Sequence, residues 1–252
     1  MTADEGLGVL KRLTGHRQLD IGALAQLTGV TERELLTLFH GGTPNPSLIR
    51  RLAPVLGLRT ADLFAVVGVD VSDDLAPTDT TAGSLVPRLV RHAVALPPEQ
   101  KDALRGFVTS LPQEERTKPV PGPPVHEQYS PGPGALLMRM ARNGNLNWLA
   151  TAMTFQALTG RYWSAATYGG VGHGRIQLTP ELLLDFSTVL GVAVGDLAAM
   201  TGIEPPDSSP RPAAAGVAEL IWDVRRLTAS QLQQVSDLAE SVIPHTRPRP
   251  AP

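Results

Sequence analysis

The chain has 252 residues, a formal net charge of −2 at pH 7, 18% charged residues and no cysteine. That length provides for one large core or two small ones. The missing thiol excludes a disulfide framework and a thiolate metal site, and the slight acidity fits poorly with a nucleic-acid binder, since phosphate binding normally needs a basic face. The acidic start Met1-Thr2-Ala3-Asp4-Glu5 has no apolar run behind it and no stretch reaches the length of a membrane span, so the expected setting is cytoplasmic, without a membrane partner.

Leu7, Leu10, Lys11 and Leu13 mark a first helix. Leu24-Ala25-Gln26-Leu27 has the apolar spacing of a second, which Gly29 ends. Thr31-Glu32-Arg33-Glu34 is a capping-box sequence, opening a helix that buries Leu35 and Leu38 and stops at Gly41-Gly42. Pro46 and Ser47 begin the next, through Leu48, Ile49, Leu52, Val55 and Leu56, and Thr60 caps a short helix carrying Leu63, Phe64 and Val67. Beyond a polar, acidic link from Ser72 to Thr81, Leu85, Leu89, Val90 and Ala93 form one apolar stripe. After Pro97-Pro98, Leu104, Phe107, Val108 and Leu111 form another. Such stripes need a surface to cover them, either the preceding helices or a second copy of the chain. The Pro-rich stretch 112–133 reads as an extended linker, and the tail 244–252, with Arg247 and Arg249, as disordered.

After the linker the pattern repeats. Leu56-Gly57-Leu58-Arg59-Thr60-Ala61-Asp62-Leu63 returns as Leu190-Gly191-Val192-Ala193-Val194-Gly195-Asp196-Leu197, and Asn45-Pro46-Ser47-Leu48-Ile49 as Thr179-Pro180-Glu181-Leu182-Leu183. A second hairpin follows on Val217, Leu220, Ile221 and Val224, then Val235, Leu238 and Ala239. Between Leu149 and Gln177 one register does not hold. Residues are added in the second helix or its turn, together with a glycine-rich insertion, Gly169-Gly170-Val171-Gly172-His173-Gly174.

Leu24-Ala25, Gly29-Val30-Thr31, the Gly41-Gly42 stop, the Pro46 start and Leu56-Gly57-Leu58, in this order and spacing, resemble the Xre/Cro family of phage-repressor-type helix-turn-helix domains. The duplication is similar to the tandem form in actinobacterial transcriptional regulators. The resemblance implies an all-α fold of two homologous units, each a five-helix domain (1–70 and 134–204) followed by a helical hairpin (82–111 and 213–243). It also implies that the helix after each turn enters the major groove of double-stranded DNA. In the first unit Thr31, Glu32, Arg33 and Thr37 then fall on the reading surface, with Arg33 able to contact guanine in bidentate fashion; His40, Thr43, Asn45 and Arg50 lie where the family contacts the backbone. In the second unit the candidates are Arg161, Tyr162, Trp163, Ser164, Thr167, Tyr168, His173 and Arg175. Their aromatic rings either stack on bases or belong to the core, and the glycines either admit a phosphate or merely turn a loop.

Residues 1–75 hold seven basic side chains against nine acidic ones, a poor balance for a fold that gains affinity by neutralising phosphates. The six histidines have no metal-ligand spacing and no serine sits in a nucleophile elbow, so neither enzyme chemistry nor a cofactor is expected. Two functions remain: a sequence-specific transcriptional regulator, and an adaptor whose helix-turn-helix units dock a protein or ligand. In either, the hairpins also offer a route to a homodimer.

Overall fold

Short apolar stripes set off by capping residues give fourteen α-helices, and no strand, among the described residues of the computed structural model, which are 3–114, 121–209, 211 and 214–242. The fold is all-α. Seven helices precede the linker: α1 (Ala3–His16), α2 (Ile21–Thr28), α3 (Glu32–Phe39), α4 (Pro46–Val55), α5 (Thr60–Val66), α6 (Val86–Val94) and α7 (Pro98–Ser110). Seven follow it: α8 (Pro133–Asn143), α9 (Trp148–Thr159), α10 (Ala165–Gly172), α11 (Pro180–Leu190), α12 (Val194–Thr201), α13 (Val217–Val224) and α14 (Ala229–Ser241).

Local chemistry fixes most of the helix ends, and it does so alike in the two halves. Asp20 and Asn147 cap α2 and α9 by accepting from the amides of Ala23 and Ala150. Asn45 and Thr179 cap α4 and α11, each followed by a proline whose missing N–H costs nothing at a helix start. Gly29 and Gly160 end α2 and α9 in the left-handed conformation that glycine adopts without steric cost. Thr60 does not cap α5 but is its first residue. The cap position is Arg59, whose guanidinium lies 4.5 Å from the Trp222 ring and donates to the Ala218 carbonyl.

The two halves share one core, in which α1 and α8 each pack both on their own half and on the other. The first helix of the chain, α1, packs on α12, and the first helix after the linker, α8, packs on α5. Arg12 extends this contact by donating to the carbonyls of Ala199 and Met200 at 2.9 and 2.7 Å. The apolar stripes of the hairpins, which the sequence left between core closure and pairing with a second copy, are consumed inside the chain. Helix α6 lies along α9 and against α14, and α7 against α13 and α14. Leu89, Val90 and Ala93 on one side and Leu232, Val235 and Ala239 on the other are fully buried there. Salt bridges from Arg88 to Asp237 and Glu240, and from Arg105 to Asp223, edge the contact. These faces are therefore not open for a homodimer.

Two connections are more ordered than their composition implies. In the acidic link, Ala76 and Pro77 are buried, and the Asp79 carboxylate accepts from the Ala229 amide at the start of α14. In the linker, Val125–Glu127 form a 3-10 turn, so it is not extended throughout. Glu127 there is buried against Arg142, and the Tyr129 hydroxyl accepts from Trp148 Nε1. Linker residues 115–120 and the tail 244–252 lie outside the described residues. Among those described, no helix is long and apolar enough to cross a membrane.

Candidate nucleic-acid interface

Helix α3 is set at its start by the capping box its sequence predicts. Thr31 Oγ1 accepts from the Glu34 amide, and Glu34 Oε2 accepts from the Thr31 hydroxyl at 2.7 Å and amide at 3.1 Å. These bonds, the hydroxyl first, hold the Glu34 carboxyl below its ordinary value, so its charge stays on the helix start. With the start fixed, the 3.6-residue period turns Leu35 and Leu38 into the core and leaves Glu32, Arg33, Leu36 and Thr37 exposed. The Arg33 guanidinium forms no hydrogen bond or ion pair among the described residues. The Thr37 hydroxyl donates to the Arg33 carbonyl at 2.8 Å, which directs its bonding back onto the helix.

The loop after α3 is tied down in similar fashion. His40 Nδ1 bonds the Leu36 carbonyl at 2.7 Å, Asn45 is engaged as the cap of α4, and Thr43 is exposed. Arg50 bonds Asp74 at 2.9 Å and Ser72 at 3.0 Å, an exposed pair that a phosphate can replace at little cost. Arg51 donates to the Gly29 carbonyl and so fastens α4 to the turn between α2 and α3.

The corresponding α9–α10 pair departs from this plan. Helix α9 has 12 residues where α2 has 8, one extra turn, which locates the residues that break the register. The glycines are not an inserted loop. Gly169, Gly170 and Gly172 lie within α10, and a Cβ on them would meet Trp148, Ile176 and Tyr129 at 2.4, 2.7 and 2.4 Å. They exist so that large side chains can lie against the helix backbone, and they present no amides to a phosphate. Gly174, at φ +68°, ends the run in a left-handed turn.

Tyr168 is a core residue rather than a DNA contact. It is fully buried, its ring edge-on to Phe155 at 4.8 Å and Phe186 at 6.2 Å, and burial pushes its phenol pKa up. His173 is half-buried, 5.0 Å from the Tyr129 ring, with Nε2 on the His126 carbonyl. Arg161 is held by Asp185, Nη2 donating at 2.6 Å and Nε at 2.9 Å. Burial raises the Asp185 carboxyl and the Arg161 bonds pull it back, while the same bonds raise the guanidinium. Ser164 caps α10 by accepting from the Thr167 amide. Tyr162 (71% exposed), Trp163 (36%) and Arg175 remain at the surface.

Most other arginines also bond within the chain: Arg12, Arg17, Arg59, Arg88, Arg105 and Arg226 each reach the opposite half. This use of arginine was missed from the sequence. Its one available signal was that Asp62 and Asp196, at equivalent places in the repeat, fall at apolar helix starts where a carboxylate needs a partner. No group of three or more His, Asp or Glu side chains that could hold a metal occurs among the described residues. The chain matches no protein-family model, no curated protein and no solved structure in comparisons with each.

Proposed function

We propose that the chain is a sequence-specific DNA-binding transcriptional regulator, built as a duplicated phage-repressor-type helix-turn-helix protein in which α2 and α3 form the working reading pair. The observation that carries this reading is Arg33. Its guanidinium stands exposed and, among the described residues, unbonded in the first turn of a helix whose start is fixed by a capping box, while the arginines around it are spent on internal bonds. A free guanidinium on a rigid helix start is the group that reads guanine O6 and N7 in the major groove. Thr37 and Glu32 flank it, and Arg50 becomes available to phosphate by exchanging its exposed carboxylate.

The test is selection from a random-site DNA library by the full chain, followed by affinity measurements across a salt series. A motif should be enriched, bind less tightly as salt rises, and lose about 10- to 100-fold in discrimination in Arg33→Ala. The absence of any DNA binding at low salt would remove this reading.

A second reading, docking of a protein or ligand, is favoured by one feature of the other half. Leu149, Met153, Tyr162, Trp163 and Ile176 are exposed large apolar side chains on or beside α9 and α10. These side chains have no use in reading DNA through α3.

A further inference from the structure

We infer that the DNA site is a single, non-palindromic half-site read by one copy of the chain, an inference that rests on the DNA-binding reading above. A duplicated protein with two helix-turn-helix pairs would ordinarily cover two half-sites, and a repressor of one pair would dimerise to do so. Observed contacts deprive the first route of its second reading helix and consume the hairpin faces that the second would use.

The first route needs a second reading helix. Helix α10 supplies no charged or amide side chain: its sequence is Ala-Ala-Thr-Tyr-Gly-Gly-Val-Gly. Of these residues Tyr168 and Val171 are buried, the helix glycines at 169, 170 and 172 lie under Trp148, Ile176 and Tyr129, and Thr167 bonds the Ser164 hydroxyl. Base edges are distinguished by bidentate donors and acceptors, which this surface lacks. Arg161, in the turn before α10, cannot be released cheaply to take that role. Asp185 is 2% exposed and would be left as a buried carboxylate without its cation.

The second route needs a second α3 brought in by a partner chain. The hairpin stripes that offered a dimer contact already face each other inside the molecule. Helix α1 covers α12, α8 covers α5, and the two hairpins cover each other. The second half thus occupies the place of a partner subunit without bringing a second reading surface. One chain carries one reading helix, and its target has the symmetry of that single helix.

The experiment compares three duplexes: the motif selected from a random library, an inverted repeat of that motif at one helical turn, and a scrambled control. Affinity and the number of chains bound are measured with the full chain. The expected result is an asymmetric motif bound by one chain, with two chains on the inverted repeat at the same affinity per site within about twofold. Arg33→Ala, with an unchanged thermal melt, should lose the motif. A palindromic selected motif, cooperative pairing of chains on the repeat, or one chain gaining about 100-fold on it through two linked heads would each overturn the inference while leaving the DNA reading intact. No binding to any duplex at low salt would overturn both.

Discussion

Asp62 and Asp196 stand at the same place in the two copies of the repeat, and each is buried against the first helix of the other half. Asn143 Nδ2, at the end of α8, donates to Asp62 Oδ1 at 2.9 Å. Arg17, just beyond α1, donates to Asp196 through Nε at 3.0 Å and Nη2 at 2.5 Å. The contacts are reciprocal, each half supplying the partner of the other's carboxylate. The partners have diverged: Asp196 meets a cation, Asp62 a neutral amide with Arg59 and Arg225 nearby. The two carboxylates therefore behave differently.

Asp196 should be sensitive to loss of its partner. Its side chain is 6% exposed, so Arg17→Met would leave a desolvated carboxylate with only His16 at 3.9 Å. Urea unfolding should show a loss of about 3 kcal/mol. The double variant Arg17→Met/Asp196→Leu should recover most of it, because the cost lies in the stranded charge. Equal losses in the single and double variants would refute this account.

Asp62 should make stability depend on pH in the opposite sense to an ordinary ion-paired carboxylate. Burial pushes its pKa up to about 6 from the ordinary 3.8, against the pull of Arg59 and the Asn143 bond. Between about pH 4 and 6 the folded chain therefore holds more of this proton than the unfolded one, so its contribution to stability falls as pH rises through that window and is flat above it. Asp62→Asn removes the penalty. The variant should be more stable than wild type at pH 7.5, by about 1–3 kcal/mol, and the gap should shrink as pH falls toward 4. A gap independent of pH would show that Asp62 does not titrate in this window.

The glycines of α10 should be intolerant where a solvent-facing helix glycine is not. Gly169→Ala puts a methyl 2.4 Å from the Trp148 ring and should lower stability by about 1–3 kcal/mol. Gly106→Ala, on the exposed side of α7 with nothing within 4 Å, should raise it by about 0.5–1 kcal/mol. Thermal melts of the two variants shifting in the same direction would contradict the packing described for α10.

Arg161 tests whether an arginine bonded inside the fold also takes part in the proposed DNA binding. Arg161→Ala should cost about 2 kcal/mol in unfolding measurements, because Asp185 loses its donors. The DNA motif selected by the variant should be that of wild type. A changed motif with an unchanged melt would make Arg161 part of the proposed DNA contact.

The sequence by itself determined the features that depend on neighbours along the chain. The capping box of Thr31 and Glu34, the proline starts at Pro46 and Pro180 and the glycine ends at Gly29 and Gly41 are all settled within a few residues. So are the inward turn of Leu35 and Leu38 and the identification of hairpin stripes as apolar faces, since helical periodicity says which side of a helix avoids water. Periodicity does not say what covers that side. Only the tertiary structure decided that the hairpins cover each other, that Tyr168 fills a core between Phe155 and Phe186, and that the α10 glycines make room for Trp148, Ile176 and Tyr129. The same holds for the arginines. A guanidinium shows in the sequence only as a charge, and whether that charge meets a base or a carboxylate 179 positions away, as Arg17 meets Asp196, is fixed by the path of the chain between them.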